Sequence, residues 1–281
     1  MGTISASMVK ELREMTGAGL MDCKKALTEC DGDLESAKDL LRKKGQAMAD
    51  KKSSRETNEG AINIAQKDNK AGLVKIACET DFVARNEQFQ AFISRIAEQV
   101  IEVGADDFME KSSSEGALKE QFVETISKLG ENIVFLNAEC WEAAEGSLIG
   151  AYTHTNSKIG VMVELSSDGS ADVDQLTAIA RNVAMHIAAS KVEAVSEDDL
   201  DPAVVTKEEK FLIDQAKDSG KPDNIIEKMV EGRMKKFKKE ICLLSQDYVK
   251  DPDKTISQYL IDAGKELNVT LAVSRFFKEQ F

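Results

Sequence analysis

Few residues in this 281-residue chain are of a type that does covalent chemistry. It has two histidines, His154 and His186, too few for a histidine-rich metal site. Its five cysteines, Cys23, Cys30, Cys78, Cys140 and Cys242, are odd in number and scattered, with no Cys-x-x-Cys spacing. They read as reduced, mostly structural thiols of a cytoplasmic protein. No phosphate-cradling glycine loop, nucleophile elbow or zinc-protease histidine pair occurs. Asp106-Asp107 and Asp198-Asp199 fall at a loop and a helix start, not as a general acid and base. No catalytic residue, metal or cofactor is therefore expected, and binding outranks catalysis. The stretch that stands out is Thr80-Asp81-Phe82-Val83, which sets a hydroxyl, a carboxylate and a large aromatic side by side. Two readings compete there. In one, Thr80 or Asp81 caps a helical turn and Phe82 tucks into the core. In the other, Asp81 and Phe82 project from a rigid corner into another protein. Local chemistry weighs toward the first, because large apolar residues near helix starts usually pack inward. The lack of a catalytic constellation adds weight to the second.

The remaining candidates are weaker. His186 lies in Ala184-Met185-His186-Ile187, on an amphipathic helix, and reads as a satisfied helix histidine. His154 lies near a hairpin turn and is expected at the surface. The basic run from Arg233 to Lys239 reads as a solvated helix face. With a net charge of −13, direct nucleic-acid binding is not expected. The rival class, an RNA-binding or ribosome-associated accessory protein, rests on that run alone. A small-molecule enzyme is a weaker rival.

The elements that must position these residues follow from patterning. A hydrophobic content of 42% and a charged content of 31% fit a globular protein of more than one domain. No long uncharged apolar run suggests a membrane partner, and Met1-Gly2-Thr3 does not begin a signal peptide. The spacing predicts an α+β fold. Residues 5–45 read as three short helices. Met8, Leu12 and Met15 share a face of the first, Met21, Cys23, Ala26 and Leu27 lie on the second, and an Asp beside Gly32 caps the third. The Gly17-Ala18-Gly19-Leu20-Met21 corner carries apolar residues with no inner face to fill, which suits docking. Residues 46–59 read as a helical tail and a linker. Strands at 60–65 and 73–78 make a hairpin, followed by a helix with Phe89, Phe92, Ile93, Ile96 and Val100 on one stripe. A helix over 115–129 leads to a strand at 133–136.

The pattern then recurs: strands at 146–152 and 159–165, then a helix with Leu176, Ile179, Val183 and Ile187. Two related halves are expected, each a small antiparallel sheet covered by helices. The second is interrupted at 190–239 by a charged, almost wholly helical hairpin turning at Ser219-Gly220-Lys221-Pro222. That hairpin could cap the sheet, reach a partner or pair with a second copy of the chain. A strand at 240–244, a helix at 256–263 and a strand at 268–273 complete the half. The division is 1–55 for the docking domain and linker, 56–142 for the first part of the core and 143–281 for the second.

Several segments resemble bacterial translation elongation factor Ts: Val9-Lys10-Glu11-Leu12-Arg13, residues 16–27, Thr80-Asp81-Phe82-Val83-Ala84-Arg85, residues 185–190 and residues 229–237. They occur in the family's order and span almost the whole chain. The resemblance implies a guanine nucleotide exchange factor for the GTPase elongation factor Tu. It also implies a ubiquitin-associated-like three-helix domain at the N-terminus and a coiled-coil hairpin inserted in a two-part core. It carries partner-binding roles to Arg13, Leu20, Met21, Lys24, Asp81, Phe82 and His154. Thr80 to Val83 are placed at the region that displaces the partner's magnesium, with Phe82 as a wedge and His154 toward the phosphate loop. Two departures stand out. Leu20-Met21 replaces a frequent Met-Met pair, a volume-conserving change. The chain also ends soon after its last strand, so contacts made by a further C-terminal helix in some relatives are not expected.

Overall fold

The computed structural model describes residues 4–217 and 222–281. It opens with α1 (Ala6–Thr16), α2 (Leu20–Glu29) and α3 (Leu34–Lys52). Ser5 caps α1 by accepting from the Met8 N–H, and Gly17, at φ 62°, ends it. Asp33 caps α3 by accepting from Ser36 N–H. Val9, Leu12, Cys23, Ala26, Leu27 and Ala37 fill the small core between them. The apolar face is narrower than the spacing suggests: Met8 is half-buried, and Met15 and Met21 are exposed.

The chain continues through β1 (Glu59–Lys67), β2 (Lys70–Cys78), a single turn α4 (Asp81–Ala84) and α5 (Glu87–Val103). Two-residue strands β3 (Ser112–Ser113) and β4 (Gly116–Ala117), α6 (Leu118–Leu129) and β5 (Ile133–Glu142) follow. The second half holds β6 (Ser147–Thr153), β7 (Ile159–Ser167), α7 (Val173–Ala189), α8 (Pro202–Lys217) and α9 (Asp223–Ile241). It closes with β8 (Asp247–Tyr248), β9 (Asp251–Thr255), α10 (Ile256–Leu267) and β10 (Leu271–Gln280). The fold is α+β. The two main sheets are antiparallel, ordered β1-β2-β5 and β10-β7-β6. In each, the second strand of a hairpin is central and the strand after the helices joins its free side. The recurrence read from patterning is therefore a recurrence of topology.

The sheets stack face to face. Along β2, Val74, Ile76 and Cys78 face α5 and α6 with Phe89, Phe92, Ile93, Ile96 and Phe122. Leu73 and Ala71 point the other way and, with Ile62 and Trp141, meet Ile149 and Met162 of the second sheet. Along β7, Val161, Val163 and Leu165 turn toward α7 and α10. Both central strands are buried on two faces, which is why they are almost continuously apolar. Lys75–Glu279 at 2.9 Å and Lys158–Glu59 at 2.6 Å tie the sheets together. Two glycines let helices lie close. A Cβ on Gly72 in β2 would stand 2.6 Å from the Ala97 carbonyl oxygen of α5. One on Gly150 in β6 would stand 2.6 Å from the Ala180 carbonyl carbon and 2.9 Å from Arg181 N in α7.

Some expected elements differ. The strand expected at 240–244 is instead the end of α9 and a 3-10 turn over Leu243–Ser245. A short apolar run reads alike as buried helix or buried strand. The insertion is less helical than expected: apart from a 3-10 turn at Glu197–Asp199, residues 191–201 lack helix. They run back to the exit of α9, where Leu243 N–H donates to Ala194 O at 2.9 Å and Glu193 N–H to Ile241 O at 2.9 Å. The final strand begins later and runs longer than expected, Leu271–Gln280. Arms α8 and α9 hold their own cluster of Leu212, Ala216, Ile226, Val230 and Met234. Of the expected turn, Ser219, Gly220 and Lys221 lie outside the described residues. Among the described residues no helix is long and apolar enough to cross a membrane.

Candidate functional site

The corner after β2 is built by its backbone. β2 ends at Cys78, and Thr80 is the N-cap of α4, its Oγ1 accepting from Val83 N–H at 3.3 Å. Successive helical residues point about 100° apart. Ala84 is buried in the first core cluster and Val83 packs against it, so Phe82 faces away. Its side chain is 83% exposed. Phe82 is therefore not a core aromatic, while Thr80 is a cap. Beside it, Asp81 meets Arg85 at 3.4 Å, one turn on. Asn86 then starts α5 by accepting from Gln88 N–H at 2.8 Å.

Residues that patterning left unremarked hold this corner from the side. Glu131, in the loop between α6 and β5, accepts from Glu79 N–H at 3.1 Å and Thr80 N–H at 3.0 Å through one carboxylate oxygen. Its other oxygen accepts from the Thr80 hydroxyl at 2.6 Å. Glu79 reaches back to accept from Asn132 N–H at 2.6 Å and pairs with Arg55 at 3.3 Å. Partial burial alone would raise the Glu79 carboxyl; the Asn132 hydrogen bond and the Arg55 guanidinium outweigh it and hold it below the usual range. Glu131 directly follows Gly130, the glycine that stops α6 at φ 75°. At the neighbouring Cys78, burial first and the Glu131 carboxylate next push the thiol up to about 12, which disfavours the thiolate.

The other expected contact residues lie elsewhere on the surface. Leu20 and Met21 open α2 and are 53% and 61% exposed. Arg13 and Lys24 are exposed on α1 and α2. His154 is exposed in the β6–β7 turn, with its Nδ1 2.9 Å from the Tyr152 hydroxyl. Thr80, Asp81, Phe82 and Val83 share one turn, and Leu20, Met21 and Lys24 share another. Among the described residues, no hydrogen bond or ion pair links the bundle set, the corner and the His154 turn to one another. The described residues hold no cluster of three or more potential metal ligands. All five cysteines are free, with Cys23, Cys78 and Cys242 buried.

The corner thus carries an exposed aromatic, and the small bundle carries exposed apolar residues at Leu20 and Met21. A family model described as Elongation factor TS matches residues 79–278. The chain belongs to the elongation factor Ts family. Elongation factor Ts of Hydrogenovibrio crunogenus is 49% identical over 263 residues, 92% of this chain and 86% of that protein. That of Parvibaculum lavamentivorans is 44% identical over 287 residues, 99% and 92% of the two chains. That of Desulfovibrio desulfuricans is 41% identical over 285 residues, 100% and 99%. These elongation factor Ts relatives thus extend the match across the N-terminal bundle. A role in translation elongation follows from membership.

Two further candidates have defined surroundings in this member of the elongation factor Ts family. His186 is buried, accepts from Val249 N–H at Nδ1 (3.2 Å) and lies 2.8 Å from Gln246 Oε1 at Nε2. Nδ1 is thus the acceptor and Nε2 the donor of a neutral ring. Burial pushes its pKa below the ordinary histidine value, against an opposing pull from Gln246. The unfolded chain therefore binds the proton more readily. The resulting stability is complete above about pH 6.5 and is lost as pH falls below it, by up to about 1.4 kcal/mol per unit. Melting temperature should fall between pH 7.5 and 5.5, and His186→Gln should flatten that fall; equal slopes would remove His186 as the cause. The basic run is largely paired: Lys236 with Glu240 at 3.7 Å, Lys238 with Glu197 at 3.2 Å and Lys239 with Asp247 at 3.2 Å.

Proposed function

We propose that this chain is a guanine nucleotide exchange factor for elongation factor Tu, acting by binding and forming no covalent bond. The observation that carries the reading is Phe82, an aromatic 83% exposed in the helical turn that follows a central strand. In this reading Phe82 wedges between helices of the partner near its magnesium site, Asp81 makes the polar contact beside it, and Thr80 and Val83 complete the turn that carries them. His154 approaches the phosphate-loop side. Arg13, Leu20, Met21 and Lys24 dock the bundle, residues 1–55, while residues 56–142 and 143–281 form the two parts of the core.

The energetics are those of linkage. A factor that binds the nucleotide-free partner more tightly than the nucleotide-bound one must loosen the nucleotide by the same factor. Equal affinity for the two states would produce no exchange. Fully burying a Phe side chain yields about 1.5–3 kcal/mol. That gain is available only when the partner's helices part to admit the ring, so it favours the open, nucleotide-free state. Local pairing of the lysines near the end of α9 gives the RNA-binding alternative little support.

The test is co-elution of the chain with purified elongation factor Tu. The complex should form without nucleotide and dissociate when excess GDP and magnesium are added. A complex indifferent to GDP would overturn the exchange reading. In the same assay Leu20→Ala with Met21→Ala should weaken complex formation by on the order of tenfold. Their exposure predicts little change in melting temperature; a large fall with unchanged binding would return them to the bundle core.

A further inference from the structure

We infer that Glu131 is the positioning residue of the Phe82 corner, and that with Glu79 it couples this corner to the linker of the N-terminal bundle. The inference rests on the exchange reading above and concerns residues outside the exposed contact set. One turn of helix has no cooperative stability of its own, because nucleation costs more than one hydrogen bond returns. The geometry of α4 must therefore be held from outside it. Packing of Val83 and Ala84 sets which face of the turn looks inward. The three bonds to Glu131, from Glu79 N–H, Thr80 N–H and the Thr80 hydroxyl, fix the residues that lead into it and so the position from which Phe82 projects. They are charge-assisted and converge on the two residues before the helical turn. The Thr80 hydroxyl donates to Glu131 while accepting from Val83 N–H, so the carboxylate orients the cap itself.

The same knot reaches the bundle. Glu79 pairs with Arg55 at 3.3 Å, and Asn132 Nδ2 donates to Arg55 O at 3.0 Å. Arg55 lies just beyond α3, whose Lys52 donates to the carbonyl of Gly130, the residue before Glu131. Residues 52–55 and 130–132 thus clasp each other beside the end of β2, and Glu131 extends the clasp to Thr80. The linker, the α6–β5 loop and the wedge corner form one hydrogen-bonded unit.

The experiment compares Glu131→Ala, Glu131→Gln and Phe82→Ala. Stimulated release of labelled GDP is read over a range of factor concentrations, and amide hydrogen exchange is read over residues 79–84. Glu131→Ala should lower the maximal stimulated rate by roughly tenfold, because a displaced contact group loses productive geometry. Its half-saturating concentration should move less than about threefold, since the bundle still docks. The Glu79 and Thr80 amides should exchange faster. Glu131→Gln should keep the maximal rate within about threefold of the parent: its amide oxygen can take both backbone N–H groups, and its amide N–H can donate to Thr80 Oγ1. The positioning role is overturned if Glu131→Ala keeps the full maximal rate while Phe82→Ala loses it. It is equally overturned if Gln fails as badly as Ala and both simply melt. If Phe82→Ala itself releases GDP normally, the wedge reading falls first and the positioning role with it.

Discussion

Phe82→Ala is expected to cut stimulated GDP release by roughly 30-fold or more, the effect of losing about 2 kcal/mol at an aromatic interface anchor. The fold should be indifferent to the change. A side chain 83% exposed contributes little packing, so stability should stay within about 0.5 kcal/mol. The two readouts pull apart two explanations that otherwise look alike. Stopped-flow release reports the wedge, and far-ultraviolet circular dichroism with thermal melting reports the core. A native, stable variant with unchanged release would end the wedge assignment. An unfolded variant would mean that the ring packs inward in solution. Phe82→Leu should lie between parent and Ala, since it keeps apolar volume but loses the flat ring.

Gly150→Ala carries the largest expected stability effect. A methyl group on β6 would run into the backbone of α7 at Ala180 and Arg181, and backbone cannot swing aside as a side-chain tip can. The helix must lift from the sheet, at a cost of about 2–3 kcal/mol. The midpoint of urea unfolding should fall by about 1 M. An unchanged midpoint would mean that α7 rides higher over β6 than described. At a temperature where the variant is still folded, exchange activity should persist, because Gly150 lies under α7 and away from the α4 corner.

Much of the fold was legible in the sequence because its signals were local. Alternation marks both hairpins, the stripe from Phe89 to Val100 marks α5, and a glycine break and a capping residue mark the end of α1 and the start of α3. What was not legible depended on tertiary contact. Nothing in Ala71, Leu73, Ile149 and Met162 says that their two sheets lie face to face; a strand buried on both sides shows only that something covers each face. The run around Cys242 and Leu243 carried the same ambiguity and was misread as strand. At the site, Phe82 was picked out by type and position, but its exposure was not. Local chemistry weighed toward burial, and only the inward turn of Val83 and Ala84 reverses that. Glu131 was missed because its partners, Glu79 and Thr80, are distant in sequence and offer mainly backbone N–H groups, which leave no residue-type signature.

The clasp between α3 and α6 bears on how the two proposed binding surfaces would act together. α3 lies along α6, Arg42 pairs with Glu120, and Lys52 reaches the Gly130 carbonyl. A bundle strung on a loose linker would present its partner to Phe82 at a local concentration set by chain statistics, roughly millimolar. A bundle held against α6 restricts the search to a narrow range of orientations. In the exchange reading proposed above, the first contact then delivers the second surface almost in register, and the entropy of alignment is settled when the protein folds rather than at each encounter. Loosening α3 from α6 would leave every expected contact residue in place and still weaken the pair, because what it changes is the alignment.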